Sequence, residues 1–148
     1  MCLSALKAFI WDICIICTVV MKLLVVFLLV GSMMVLSEGR LKWTDAQKHC
    51  LSMGGNLLSV HNAQQNNQAL SLLGNNRTWI AGSDAQEEGQ WLNVDGTPFN
   101  YTNWCSGQPD NHGGRESCAE VNFSGRRCWN DFVCTKLLYS ICATTVNP

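Results

Sequence analysis

Several classes of function are excluded by what the sequence lacks. Ten Lys and Arg residues are balanced by eleven Asp and Glu residues, which gives a formal net charge of −1. A chain without a basic excess has no field that would concentrate nucleic acid or an anionic membrane surface. We therefore expect no nucleic-acid partner.

Recognisable catalytic motifs are also absent. The sequence has no His-Glu-x-x-His helix, no nucleophile elbow and no glycine-rich phosphate loop, and it has neither internal repeats nor low-complexity segments. We expect a binding protein and not an enzyme.

Cysteine, by contrast, is plentiful in a chain of 148 residues, a length that suits one domain. Three of the nine cysteines lie early, at Cys2, Cys14 and Cys17, and six follow at Cys50, Cys105, Cys118, Cys128, Cys134 and Cys142. Six is even, as a disulfide framework requires, but spacing alone does not choose the pairing. A reduced metal cluster is the rival interpretation, which we disfavour because Cys14 and Cys17 form the only Cys-x-x-Cys and lie elsewhere.

The N-terminal region is apolar and resembles a targeting segment. Met21 reads as a second start, Lys22 supplies a positive charge, residues 23–36 are an apolar run, and cleavage is expected after Ser37 or Gly39. This predicts an upstream extension of unknown role at residues 1–20, a signal peptide at 21–39 and a secreted domain at 40–148. The alternative is a membrane anchor at residues 13–36, which is long enough to span a bilayer but has Lys22 near its middle.

Two helices are predicted in the domain. Thr44 is the candidate N-cap of the first helix, and Gly54-Gly55 ends it. Apolar residues recur along it at helical spacing, at Trp43, Ala46, Cys50 and Met53. Residues 62–73 form the second, which ends at Gly74 and turns four residues to the core: Ala69, Leu70, Leu72 and Leu73.

Short strands are predicted at residues 118–123, 127–131 and 138–143, and residues 56–60 read as a connection or strand.

Oxygen-bearing side chains are concentrated between residues 108 and 131. They are Gln108, Asp110, Glu116, Asn130 and Asp131. Oxygen is the ligand that a hard cation such as Ca²⁺ requires. Asp110 and Glu116 could instead suggest a glycosidase pair, but carboxylates that coordinate calcium are poor general acids. Polar loop residues that bind no metal are the plainer interpretation.

These residues resemble a known family. The Gln108-Pro109-Asp110 triplet, Glu116 and the Trp129-Asn130-Asp131 triplet together look like the C-type lectin domain, in its fish galactose-binding and type II antifreeze branch. The match runs from about Trp43 to Cys142. It implies an α+β fold with two helices, short antiparallel strands that include a core strand at residues 79–82, and a long calcium-binding loop region. It also implies three disulfides, Cys50–Cys142, Cys118–Cys134 and Cys105–Cys128.

The resemblance also implies a ligand. In this family one Ca²⁺ is held by the residues that match Gln108, Asp110, Glu116, Asn130 and Asp131, and two hydroxyls of a hexose complete its coordination. The order Gln-Pro-Asp implies galactose or N-acetylgalactosamine, whereas Glu-Pro-Asn implies mannose. Pro109 is expected to be cis. His112 stands near the position of the usual sugar-stacking tryptophan, so it either contacts the sugar or is a solvated loop residue.

A second calcium site matches the family less well. Asp84, Glu88 and Asn111 would form it, but Asn111 and Ser117 stand where acids are commoner, and fewer carboxylates mean weaker binding. A solvated acidic turn is the simpler interpretation of Asp84 and Glu88.

Two further features bear on the secreted domain. Relatives carry a strand before the first helix, and here only Arg40-Leu41-Lys42 follows the predicted signal, so this strand is expected to be missing and the last strand to have an unpaired edge. Glycosylation sequons occur at Asn76, Asn100 and Asn122. We expect Asn76 to be the most accessible and Asn122, in a predicted strand, to be an awkward acceptor.

The sequence as a whole predicts a secreted, calcium-dependent lectin that binds galactose-type glycans on microbial or cell surfaces and serves innate defence. An oligomer is compatible with the sequence. An antifreeze protein that binds ice through the same face is one alternative, and a domain that binds protein through another surface is a second. The bulky Arg115, Arg126 and Arg127 favour a glycan or protein ligand over ice.

Overall fold

The computed structural model describes residues 32–145, in which two helices flank a mixed sheet. This confirms the α+β class. Residues 1–20, the three early cysteines and most of the predicted signal peptide and anchor lie outside the described part. The helices and strands, in chain order, are β1 (Ser32–Leu36), α1 (Trp43–Ser52), β2 (Gly55–Leu57), α2 (Ala63–Leu73), β3 (Thr78–Ser83), β4 (Leu92–Asn93), β5 (Cys118–Val121), β6 (Trp129–Phe132) and β7 (Tyr139–Thr145).

The main sheet has the strand order β1-β7-β3-β5-β6. Strand β2 pairs with β7, and β4 with β3. The pairs β2 with β7, β3 with β4, β3 with β5 and β5 with β6 are antiparallel. Strand β3 pairs with β7 in parallel, through Thr78 with Tyr139 and Trp79 with Ser140. Within residues 32–145 no helix has the length and apolar character needed to cross a bilayer.

The expectation that the first strand is missing is wrong. Strand β1 is present and pairs with β7, and it is built from residues that the sequence pattern assigns to the signal peptide. Ser37 continues the pairing: its N–H donates to Ser140 O at 2.8 Å, and its Oγ accepts from Ser140 N at 2.9 Å. The predicted unpaired edge around residues 139–142 is therefore covered.

The same apolar run explains why β1 was missed. Met34 and Leu36 pack against a buried hydrophobic cluster that includes Leu58, Ile80 and Ile141. Alternating inward side chains suit a strand, and an apolar run suits a signal sequence equally well. The predicted cleavage after Ser37 or Gly39 would remove this strand.

Both helices form where the spacing predicts, with two corrections. Helix α1 begins at Trp43 after Lys42 and not behind a Thr44 cap, because the Trp43 N–H is satisfied by Cys134 O at 3.0 Å. Helix α2 is capped by Asn62, whose Oδ1 accepts from Gln65 N at 2.9 Å. Leu72 is 47% exposed and does not face the core, which α2 reaches instead through Asn66, Ala69, Leu70 and Leu73.

The three disulfides implied by the resemblance are all present. Cys50–Cys142 joins α1 to β7, Cys118–Cys134 fastens the start of β5, and Cys105–Cys128 holds the segment before the loop of residues 108–116 against the start of β6. In the chain-entropy model a bridge that closes about 90 residues stabilises the fold by about 4 to 5 kcal/mol. The loop region thus has covalent anchors on the sheet.

A buried tryptophan of β6, Trp129, anchors this strand in the core. The Trp129 ring is fully buried, and its Nε1 donates to Asn66 Oδ1 on α2 at 2.9 Å. Phe99, Tyr101 and Trp104 meet the same ring edge-on, at centroid distances of 6.1, 5.8 and 5.6 Å. Because Trp129 directly precedes Asn130 and Asp131, this packing fixes the backbone that carries the candidate site.

Candidate metal and ligand site

Strand β6 supplies one wall of the site. Asn130 and Asp131 lie opposite Glu120 and Ala119 of β5, and both are buried. The backbone of Cys105 donates to Trp129 O at 2.8 Å, so the disulfide and the backbone together bring the start of the loop to this strand.

The loop of residues 108–116 supplies the other wall. The Gln108-Pro109 peptide bond is cis, as expected from the sequence. Asp110 N donates to Asp131 Oδ1 at 3.1 Å, and Asn111 N donates to Asp131 Oδ2 at 2.7 Å. The Asp131 carboxylate therefore binds the loop backbone with both oxygens.

Three carboxylates converge at this junction. Oxygen atoms of Asp110, Glu116 and Asp131 all lie within 4.8 Å of one another. Gln108 Oε1 is buried and has no hydrogen-bond partner among the described residues. A shallow open pocket of about 290 Å³ lies beside them, lined by Arg77, Gln108, Asp110, His112, Glu116, Phe123, Asn130 and Phe132.

Without a cation, the ionised forms of these carboxylates are electrostatically unfavourable. Burial raises the pKa of Glu116 above its ordinary value; the His112 N–H, which donates to Glu116 Oε2 at 3.2 Å, opposes this, and the charges of Asp131 and Asp110 add to it. Repelling carboxylates beside an orphaned amide oxygen form an oxygen-only donor set, which fits Ca²⁺.

The structure thus brings together all five predicted ligands, Gln108, Asp110, Glu116, Asn130 and Asp131. His112 is exposed and lines the same pocket. A ring at this position can reach a ligand in the pocket.

The residues of the predicted second site are also neighbours, but their groups are largely paired with the protein. Asn111 Nδ2 donates to Glu88 Oε2 at 2.6 Å, and Asn111 Oδ1 accepts from Glu116 N at 3.1 Å. Asp84 Oδ2 accepts from Gly89 N at 2.8 Å, whereas Asp84 Oδ1 is buried without a partner among the described residues. Asn111 therefore connects the Glu88 carboxylate to the Glu116 backbone through protein hydrogen bonds.

A pair that the sequence interpretation missed, Arg77 and Glu120, adjoins the site. Glu120 is fully buried, and both of its oxygens accept from Arg77, with the Nε contact at 2.7 Å. The Arg77 guanidinium lies 4.2 Å from the centroid of the Phe132 ring. The available signal was a single acid between Ala119 and Val121 in an otherwise apolar strand.

The three sequons differ in accessibility. Asn76 and Asn100 are exposed, whereas Asn122 is 1% exposed. Asn122 Nδ2, the atom that a glycan would occupy, donates to Gly74 O at 3.1 Å and to Asn76 O at 3.2 Å. In this fold Asn122 is a structural residue.

Comparisons with known proteins agree with this architecture. Residues 39–144 match the family model described as "Lectin C-type domain". The galactose-specific lectin nattectin of Thalassophryne nattereri is 43% identical over 111 residues, which cover 72% of this chain and 69% of that protein. The chain matches ladderlectin of Oncorhynchus mykiss over only 51% of that protein's length, and a type-2 ice-structuring protein of Osmerus mordax over 64%.

Two solved structures are close in fold. A Ca²⁺-dependent type II antifreeze protein in its Ca²⁺-free form has a TM-score of 0.75 at 35% identity, covering 80% of this chain and 95% of that chain. A calcium-independent type II antifreeze protein has a TM-score of 0.74 at 27% identity, covering 80% and 89%. Since one such neighbour depends on calcium and the other does not, the fold alone does not determine whether calcium binds.

Proposed function

This chain belongs to the C-type lectin domain family, and from that premise we propose that it is a secreted, calcium-dependent lectin for galactose or N-acetylgalactosamine. Gln108, Asp110, Glu116, Asn130 and Asp131 would hold the ion. The ligands would be glycans on microbial or cell surfaces, which fits a role in innate defence.

The observation that carries the calcium proposal is the unpaired Gln108 Oε1 beside three carboxylates. A buried acceptor left without a partner costs about 1 to 3 kcal/mol, and carboxylates this close repel one another. A divalent cation would relieve both, because it is a partner for the amide oxygen and compensates the charges of Asp110, Glu116 and Asp131. Bound calcium would offer the sugar hydroxyls a Lewis-acidic contact.

Selectivity for the sugar would come from the amide and acids around Pro109. An amide donates and accepts, whereas a carboxylate only accepts. Asn130 Nδ2 already donates to Glu120 Oε1 at 3.0 Å and contacts Asp131 O. Gln108 is therefore the ligand whose amide nitrogen is available to a sugar hydroxyl, while Asp110 and Glu116 accept.

The pocket favours a terminal sugar. It is shallow and open, and the exposed His112 lies at its wall. An imidazole can pack against the apolar face of a hexose much as larger aromatic side chains do. The name of nattectin, a galactose-specific lectin, supports the same sugar class.

An extracellular location is supported by the disulfides. Three bridges within one small domain persist in an oxidising compartment and would not in the cytosol.

Ice binding is the second candidate, and the antifreeze neighbours favour it. Against it, three arginines in the segment of residues 108–131 have exposed side chains, which would interrupt a flat face: Arg115, Arg126 and Arg127. A protein ligand bound through another surface is a third candidate.

The experiment that tests the sugar assignment exchanges the two groups around Pro109. The double variant Gln108→Glu/Asp110→Asn keeps one amide and the same net charge but reverses their order. We expect its preference in a glycan-binding assay to move from galactose to mannose, with calcium still required. An unchanged galactose preference would contradict the assignment, and calcium titration of both proteins would identify loss of the metal site as a separate failure.

A further inference from the structure

We propose that Glu120 is a positioning residue for the metal site: its carboxylate, held by Arg77, fixes the Asn130 amide with Oδ1 toward the cation. This inference rests on the calcium site of the proposed function. It concerns two residues that are not themselves among the five ligands.

The orientation of the Asn130 amide follows from its neighbours. Nδ2 donates to Glu120 Oε1 at 3.0 Å and contacts the carbonyl oxygen of Asp131. Because a primary amide is planar, its oxygen then points away from both acceptors, and Asn130 lines the ligand pocket. The reversed amide would place Oδ1 against two acceptors and turn a donor nitrogen toward the cation, which a metal site cannot use.

Arg77 explains how a charged acceptor is kept at this buried position. Glu120 is fully buried, and the guanidinium binds both of its oxygens. The guanidinium also lies near two aromatic rings, 4.2 Å from the centroid of Phe132 and 5.3 Å from that of Phe123. Arg77 thus sets the carboxylate in one position, and the carboxylate sets the amide.

The strand register places the two side chains next to each other. Glu120 and Asn130 are directly opposed in the β5 and β6 ladder. The Cβ atoms of directly opposed cross-strand residues lie within about 5.5 Å of each other. Groups that support a metal ligand in this way typically affect metal affinity by about 10- to 100-fold when they are removed.

The test compares Glu120→Met and Glu120→Gln with the wild type by calorimetric titration of Ca²⁺ alone. Methionine keeps the volume and removes the acceptor, so we expect affinity to fall by about 10- to 100-fold. Glutamine keeps an acceptor for Asn130 and should bind Ca²⁺ closer to the wild type. Unfolding in chelator establishes that each variant is folded before its affinity is compared.

A second background separates positioning from general damage. In Asn130→Asp both side-chain atoms are oxygens, so no amide orientation remains to be set, and Glu120 is a repulsive neighbour. We expect Glu120→Met in this background to leave Ca²⁺ affinity unchanged or raise it. An equal loss in both backgrounds, or wild-type affinity in Glu120→Met alone, would overturn the proposal.

The amide itself gives a readout without metal. In the calcium-free wild type the Asn130 side-chain amide protons should exchange slowly by NMR, and in Glu120→Met they should exchange faster. Wild-type protein that binds no Ca²⁺ would overturn the proposed function and this proposal with it, whereas a wild type that binds Ca²⁺ equally well without Glu120 overturns this proposal alone.

Discussion

The carboxylate of Asp131 accepts the backbone N–H of Asn111 at 2.7 Å, across 20 residues of chain. Its other oxygen accepts from Asp110 N at 3.1 Å. A residue expected to hold a cation is thus also the group that attaches the loop to the sheet. Loop position and metal affinity therefore depend on the same side chain.

Replacing Asp131 should consequently affect stability even without calcium. In Asp131→Asn one acceptor becomes an amide nitrogen that faces a backbone N–H, so we expect the free energy of unfolding in chelator to fall by about 1 to 3 kcal/mol. Asp110→Asn is the matched control: the Asp110 carboxylate accepts no hydrogen bond within residues 32–145, and its charge repels Glu116, so this variant should keep that free energy or raise it. Both variants should lose calcium affinity. Equal stability of the two in denaturant unfolding would contradict this dual role.

The stability of the metal-free protein and its affinity for calcium should depend on pH in opposite directions. Burial, with the charges of Asp131 and Asp110, raises the pKa of Glu116 in the folded protein, so the metal-free fold retains a proton that the unfolded chain has lost. The contribution of Glu116 to stability is therefore present below its unfolded pKa and is lost as pH rises through the folded value. Calcium binding needs the ionised form, so affinity should fall as pH decreases through the same window.

Glu116→Gln provides the measurement. The stability difference between wild type and this variant in chelator should shift in favour of the wild type as pH is lowered from neutral toward 4.5, the ordinary glutamate value. Calorimetric calcium titration of the wild type over the same range should show the opposite trend. A pH-independent difference would show that Glu116 ionises normally.

Strand β1 should contribute to stability. A chain that begins at Arg40 loses the packing of Met34 and Leu36 and the Ser37 bonds to Ser140, so we expect it to be less stable than a chain from Ser32 by about 2 to 4 kcal/mol. Ser37→Ala in the longer chain is the control for the hydroxyl alone and should cost about 1 kcal/mol. Equal guanidinium midpoints for the two lengths would mean that β1 is dispensable.

Glycosylation should avoid Asn122. Its amide nitrogen is buried and donates to two backbone carbonyls, whereas Asn76 and Asn100 are exposed. Peptide mapping of secreted protein should find glycan at the exposed sequons and none at Asn122. Asn122→Gln should destabilise the fold, while Asn76→Gln should change only the glycan; a glycan on Asn122 would contradict the burial argument.

Much of the fold was predictable from the sequence, because local signals and tertiary packing agree there. Helix α2 has both its Asn62 cap and its apolar stripe, and the disulfides follow the family resemblance. Strand β1 was missed because an apolar run satisfies a signal peptide and a buried strand equally, and only its partner β7 distinguishes them. Leu72 was misassigned because a mostly apolar helix end does not define its own inward face.

The candidate ligands were identifiable because all five have oxygen-bearing side chains and lie in two short triplets or at Glu116. Glu120 and Arg77 were not, since they lie 43 residues apart and neither forms part of a motif. Their role depends on the strand register that places Glu120 opposite Asn130, which sequence spacing does not give.

The most direct test of the lectin assignment is retention of the secreted protein on immobilised galactose in the presence of calcium. We expect release by a chelator and by free galactose, and no release by mannose. A protein that is folded and binds Ca²⁺ in calorimetry but passes through the column unretained would contradict the assignment and make thermal hysteresis the next measurement.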